Sequence, residues 1–239
     1  MIIIPAIDIY ENKTVRLKKG KFDDITYYPV SPVQQAEIYV KNGFHRIHIV
    51  DLAGSVQGVI TVEDILRSIK SGLDVEVEFG GGIRDRAGVE KLFSLGIDRI
   101  IIGSLSIKNK PVFEAIIKEF GPEQFIISVD VLDKMVAVHG WTETTSLSLS
   151  EHIQYCLSLG LQQFLCTDIS KDGMLTGTNT ELYAQVMHEF PGIELIASGG
   201  IKDLVDIRKL QSMKMYATVV GKAIYENKFT IEELASIAE

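Results

Sequence analysis

Cysteine is scarce in this 239-residue chain, with only Cys156 and Cys166 present. Ten positions apart and without a CxxC or Cys/His spacing, they indicate neither a disulfide framework nor a zinc site, a pattern that suits a reducing cytosol. Tryptophan occurs once and proline six times, and no Pro/Ser-rich stretch divides the chain into domains. No apolar run approaches the ~18 residues that a membrane helix needs. The apolar start is interrupted by Pro5 and Asp8 and lacks a basic leader, so it does not read as a signal peptide. Runs of five like charges are absent too, and 24 basic against 32 acidic residues leave a net charge of −8. That balance disfavours a nucleic-acid or anionic-membrane surface while leaving room for a basic pocket. HExxH, Walker, EF-hand and zinc patterns are missing, as is a GxGxxG turn after the first apolar run.

What is present is ordinary globular material, 46% hydrophobic and 23% charged. Short Ile- and Val-rich runs recur at 2–8, 46–51, 75–79, 99–103, 125–130, 163–167, 193–197 and 217–221. Most are continuously apolar, as parallel strands buried on both faces require. Helix punctuation lies between them. Ser31-Pro32 opens a helix that Gly43 closes, Thr61 with Asp64 resembles a capping box, Asp85 opens a helix ending near Gly96, and Ser148 with Glu151 forms a second box ahead of Gly160. Further helices are expected at about 111–120, 180–190, 203–213 and 230–238. Eight βα units at ~30 residues each predict an α/β fold, a single-domain (β/α)8 barrel. An open doubly wound sheet is the alternative, without its usual glycine turn.

A repeat strengthens the barrel reading. Residues 79–104 align without gaps on 197–222, an offset of 118, with eight identities that include Gly81/Gly199, Gly82/Gly200, Asp85/Asp203 and Gly103/Gly221. Asp8 maps on Asp130 and Asp51 on Asp168 at nearly the same offset. The chain reads as two half-barrels, about 1–121 and 122–239.

Side chains at the carboxyl ends of barrel strands share one mouth, so position sorts the candidates. Asp8 and Asp130 end apolar runs, where a carboxylate is costly unless the mouth solvates it or a ligand uses it. Asp51 and Asp168 are weaker candidates that also suit loop capping. Gly80-Gly81-Gly82 with Gly103-Ser104 exposes backbone N–H groups near a helix N-terminus, which reads as a phosphate site. Ser198-Gly199-Gly200 with Gly221-Lys222 repeats it, and the loop from Asp172 to Gly177 lies nearby in sequence. Two anion sites imply a ligand with a phosphate at each end and the carboxylates flanking its middle. Trp141, in a hydroxyl-rich loop, is placed to stack on a heteroaromatic ligand, and Arg16 to pair with a phosphate or a charged intermediate unless it is a solvated hairpin charge. His45, His152 and His188 read as surface residues. His48 and His139 read as structural, since neither has a spaced nucleophile partner.

Taken together, PAIDIYENKTVRL, HIVDLAGS, EFGGGIRD, SVDV, HGW, CTDISKDGMLTG, ASGGI and VVGKAIYENKFT resemble the phosphoribosylformimino-aminoimidazole-carboxamide ribotide isomerases of histidine biosynthesis, the HisA family, over essentially the whole chain. The resemblance implies a (β/α)8 barrel without cofactor or metal, acting by an Amadori rearrangement that turns an N-linked aminoaldose carrying two phosphoribosyl groups into an aminoketose. By motif, Asp8 matches the general base and Asp130 the commonly assigned general acid. Asp172 matches an aspartate preferred as the acid in other readings, so the acid stays open. Thr167 matches a residue assisting at the centre. Gly82, Gly103 and Ser104, and Gly177, Gly200, Gly221 and Lys222, match the two phosphate regions. Arg16 and Trp141 match residues on loops that close over substrate.

The partner implied is this bisphosphorylated small molecule, for a cytoplasmic monomer without nucleic acid, membrane or obligate protein partner. Three rivals stay open. One is the sister cyclase of the pathway, although Arg16 stands where that family has a catalytic lysine. Another is an isomerase that also accepts phosphoribosyl anthranilate, and the third a non-catalytic sugar-phosphate sensor.

Overall fold

The computed structural model describes residues 1–18, 20–132, 135–138, 140, 141 and 143–238. Eight parallel strands form the wall of a closed barrel: β1 (Ile2–Tyr10), β2 (Arg46–Asp51), β3 (Glu76–Gly80), β4 (Arg99–Ile102), β5 (Phe125–Leu132), β6 (Gln163–Asp168), β7 (Glu194–Ser198) and β8 (Ala217–Val220). Each pairs with its neighbours in chain order, and β8 closes on β1 with Ile2 opposite Ala217. The eight apolar runs thus become the eight barrel strands.

Alternation along each strand gives every second side chain to the interior. Ile4, Ala6, Ile101, Ile126, Leu165, Ile196, Ala217 and Val219 fill the inside as one cluster. Ile3, Ile7, Ile47, Ile49, Val77, Ile100, Ile127 and Cys166 belong to the larger cluster between wall and helices. This double burial explains the unbroken apolar runs. At the amino ends of the strands a polar ring shuts the barrel: Glu76 accepts from Arg46 at 2.9 Å and from Arg99 at 2.5 Å, Arg99 also reaches Gln163 at 3.2 Å, and Gln163 donates to Glu194 at 2.6 Å. The carboxyl ends stay open.

Helix starts follow the punctuation in most places. Ser31 and Ser148 make complete capping boxes, and Asp85 and Asp203, aligned in the repeat, both cap their helices through the side chain. Thr61 is a correction. Its amide and hydroxyl are both committed to Asp51, at 2.6 and 2.9 Å, so Val62 takes the N-cap of Glu63–Gly72 with no side-chain bond. The last long helix is shorter than expected, Ile231–Ala235.

Two antiparallel hairpins extend the wall, the first foreshadowed only by the hairpin reading of Arg16 and the second not anticipated from sequence. Lys13–Lys18 with Lys21–Tyr27 extends β1, and Met135–Val138 with Glu143–Ser148 extends β5. They rise from the strands that carry Asp8 and Asp130.

His152 is also corrected. It is fully buried on Leu149–Ser158, whose buried face is Leu149, His152, Ile153 and Cys156. Its Nε2 meets Ser106 Oγ at 3.1 Å, and burial first, then Lys110, pushes its pKa down to about 4. The i, i+3, i+4, i+7 spacing was the signal for a core position. His45 and His188 are exposed, as expected.

Asp51 is a structural cap. Fully buried, it accepts from Gly54 N at 2.7 Å as well as from Thr61, pinning the segment after β2. Asp51→Ala leaves these donors unsatisfied and is expected to cost about 2–4 kcal/mol in urea unfolding. A loss below about 1 kcal/mol would exclude the capping role.

Candidate active site

The carboxyl-end mouth is a cavity of about 230 Å³. Strand parity decides who enters it. On β1 Asp8 follows the inward Ile4 and Ala6, on β5 Asp130 follows Ile126 and Ser128, and on β6 Thr167 follows Leu165; all three line the cavity. Asp51 and Asp168 are one step out of phase and face the wall's outer side. Asp168 accepts from Ser170 N and Oγ and from Asn179 Nδ2, so it ties down a loop as Asp51 does.

Of the other predicted residues, Arg16, Gly82, Gly103, Ser104, Trp141, Asp172, Gly200, Gly221 and Lys222 also line the cavity. Gly177 does not line it; its N–H is donated to Gly200 O at 2.9 Å, shaping the loop rather than facing the mouth. Gly82 and Gly200 hold left-handed backbone with φ of 76° and 82°, and a Cβ on either would strike backbone oxygen, Val59 O at 2.3 Å and Gly177 O at 2.6 Å. Only glycine permits these turns. Lys222 Nζ donates to Gly173 O at 3.0 Å on the far rim.

Arg16 is neither a solvated hairpin charge nor free for a phosphate. It is 9% exposed, and Nη1 donates to Asp8 Oδ2 at 2.8 Å while Nη2 donates to Ala6 O at 2.7 Å. The hairpin therefore delivers a cation to the strand-end carboxylate. Asp172 sits across from this pair in a different setting. Burial first, then the Asp8 charge and Asp130, outweigh Arg16 and Lys222 and push its pKa up to about 7. Gly199 flanks it so closely that a Cβ there would lie 3.4 Å from Asp172 Oδ1 and 3.3 Å from the Thr167 methyl.

Asp130 is the hub of the floor. Ser128 Oγ donates to it at 2.9 Å, and Thr167 and the Trp141 indole also bond to its carboxyl. Burial nevertheless raises its pKa against these bonds. Trp141, with φ of 69°, reaches down from its hairpin and packs over Gly20, where a Cβ would lie 2.4 Å from the ring. The two hairpins thus touch above the mouth. His48 lines the floor with Nδ1 at 2.7 Å from Glu78 Oε1, held as the structural reading expected. His139 lies outside the described residues.

Arg84 was missed. It lines the cavity beside Gly81 and Gly82, its hydrogen bonds go to the carbonyls of Ser55 and Ile83 at 2.9 and 3.2 Å, and burial lowers its pKa. The repeat carried a signal, since Arg84 aligns on Lys202 and both halves put a cation after the diglycine. The mouth therefore pairs a basic, glycine-rich rim on each side with three carboxylates between, an arrangement suited to proton transfer on an anionic ligand.

A family described as histidine biosynthesis protein matches residues 2–230. A 1-(5-phosphoribosyl)-5-((5-phosphoribosylamino)methylideneamino)imidazole-4-carboxamide isomerase from Francisella philomiragia is 39% identical over 237 residues, covering 98% of each chain. Isomerases of the same name from Caldicellulosiruptor bescii, 40% identical over 99% of this chain and 100% of the relative, and Flavobacterium johnsoniae, 39% identical over 98% of each, are equally similar.

The raised Asp172 pKa has a stability consequence. Its folded value of about 7 lies above the unfolded ~3.9, so between these values the native state binds the extra proton and stability falls as pH rises. The Asp172→Asn protein, which lacks this burden, is expected to gain on wild type by about 1–3 kcal/mol between pH 4 and 8 in parallel urea melts. A difference independent of pH would show that Asp172 is not held protonated.

Proposed function

The chain belongs to the histidine biosynthesis protein family, and we propose that it is the isomerase its relatives are named for, opening a phosphoribosylamino aldose and closing the account of its atoms as the aminoketose isomer. One observation carries the reading. Two carboxyls face a single cavity in opposite settings, Asp8 salt-bridged to Arg16 at 2.8 Å and Asp172 with its pKa pushed up to about 7. A carboxylate bound by a cation suits the base, and a buried carboxyl that keeps its proton suits the acid.

In this reading Asp172 gives its proton to the ribose ring oxygen as the C1′–O bond breaks and the amine lone pair forms a protonated imine. Asp8 then removes the C2′ proton, and the C–H electrons form the C1′–C2′ double bond while the imine π pair returns to nitrogen. The enaminol tautomerises, losing the C2′ hydroxyl proton and gaining one at C1′, which leaves the ketone. Each proton transfer is worth typically 10²–10⁴ in rate. These steps use the chain's own carboxyls and propose no cofactor.

Asp130 serves as the acceptor that orients Thr167, Ser128 and the Trp141 indole, so it shapes the centre rather than supplying the proton. Arg84 with Gly82, Gly103 and Ser104 holds one phosphate, and Gly200, Gly221 and Lys222 hold the other. Holding both ends keeps the reacting carbons in register. The Trp141 hairpin lifts to admit substrate, because its ring fills the space over the floor.

Consumption of the aminoaldose by purified protein tests the proposal. Asp8→Asn is expected to lower turnover by more than about 10³-fold while substrate affinity stays within a few-fold. Residual turnover of Asp172→Asn is expected to lose the alkaline limb of its pH profile, and that of Asp130→Asn to keep it. Near-normal turnover of Asp8→Asn removes the base assignment, and wild type that binds substrate without converting it indicates a sensor.

A further inference from the structure

Arg16 reaches Asp8 from the hairpin that extends β1, and its long side chain has many rotamers to choose from. Its place is set by residues more than two hundred positions away. Gly221 supplies a flat seat: a Cβ there would fall 2.5 Å from Nη2, 2.6 Å from Cζ and 2.7 Å from Nη1, so the guanidinium occupies the space that any other side chain would take. This close approach by itself calls for glycine at position 221. The Tyr225 ring covers the guanidinium, its centroid 5.0 Å from Cζ.

The tyrosine hydroxyl adds a second hold. Ala6 O, two residues before Asp8 on the same inward face, accepts from Arg16 Nη2 at 2.7 Å, Tyr225 Oη at 3.0 Å and Tyr39 Oη at 3.3 Å. Tyr225 is itself braced by the Tyr28 ring at 4.6 Å, and Tyr28 Oη donates to Glu226 at 3.0 Å. A partly desolvated ring over a guanidinium is a substantial interaction, and the planar fork needs little further ordering once its plane is fixed.

We propose that Tyr225 is a positioning residue that holds the Arg16 guanidinium on Asp8, with Gly221 kept free of a side chain as its seat. Gly221, Lys222 and Tyr225 lie within one short stretch of chain, so the segment assigned to one phosphate also orients the base's cation. The kinetic part of this inference rests on the isomerase reading; the hold on Arg16 does not.

Two measurements test it on the full-length protein. In the first, phenylglyoxal labelling of Arg16 is followed by peptide mass spectrometry, with exposed Arg67 as the internal reference. Tyr225→Leu is expected to label Arg16 about 10-fold faster than wild type, and Tyr225→Phe, which keeps the ring, only a few-fold faster. Equal labelling in wild type and Tyr225→Leu overturns the proposal. Tyr225→Met, of similar bulk but without a ring, replaces Tyr225→Leu if the latter lacks a native circular dichroism spectrum.

In the second, turnover of the aminoaldose is expected to fall about 10–30-fold in Tyr225→Leu with KM changed less than about three-fold. In an Arg16→Leu background the same substitution is expected to add less than about two-fold, since its effect passes through Arg16. An undiminished effect there, or unaltered kcat in Tyr225→Leu, overturns the proposal. Wild type without turnover defeats the isomerase reading alone, and the labelling then decides the hold on Arg16.

Discussion

Everything about this molecule depends on the two-residue alternation of strands closed into a ring. Inside an eight-stranded barrel there is room for one layer of modest side chains per level, and no water. Ile4, Ala6, Ile126, Leu165, Ile196 and Ala217 satisfy that constraint. Polar inward residues need partners, as mid-strand His48 and Glu78 show by pairing at 2.7 Å, or a place at the ends of the strands. At the amino end, Arg46, Glu76, Arg99, Gln163 and Glu194 form a chain of hydrogen bonds, and the mouth at the other end is left to do chemistry. A carboxylate at the last inward position of a strand faces that mouth by geometry alone.

Within the mouth, similar aspartates acquire different characters because their surroundings differ. Asp8 has a guanidinium delivered to it by a hairpin, Asp130 is ringed by hydroxyls and an indole, and Asp172 sits near other carboxylates in a buried place. Crowding acids together is unfavourable when all are charged, and the cost falls on the one with the least compensation. That imbalance raises the Asp172 pKa to about 7, and it arises from the assembly rather than from any single residue. The two hairpins complete the assembly by meeting above it, Trp141 against Gly20.

Much of this was legible beforehand. Unbroken apolar runs marked the eight strands, and capping residues such as Ser31, Asp85 and Ser148 marked helix starts. The diglycine repeat marked both rims of the mouth. The capping alternative for Asp51 and Asp168 was also legible, since both suit the loop that follows their strand. The misreadings came from competition and distance. Thr61 had the right chemistry for a cap, but a buried carboxylate ten residues earlier claimed it. His152 was read from its type rather than from the helical stripe it completes. Gly177 follows its family motif, yet its amide is bound to Gly200.

The sequence by itself determined the barrel, its open end and the pair of strand-end carboxylates, because apolar period, glycine turns and caps act over a few neighbouring residues. Tertiary structure alone decided that Arg16 belongs to Asp8, that Tyr225 and Gly221 pack against it there, that Arg84 joins a rim and that burial raises the pKa of Asp172 to about 7. Those outcomes come from burial and from charges brought together across up to two hundred residues, and no local pattern encodes a distance that only the closed ring creates.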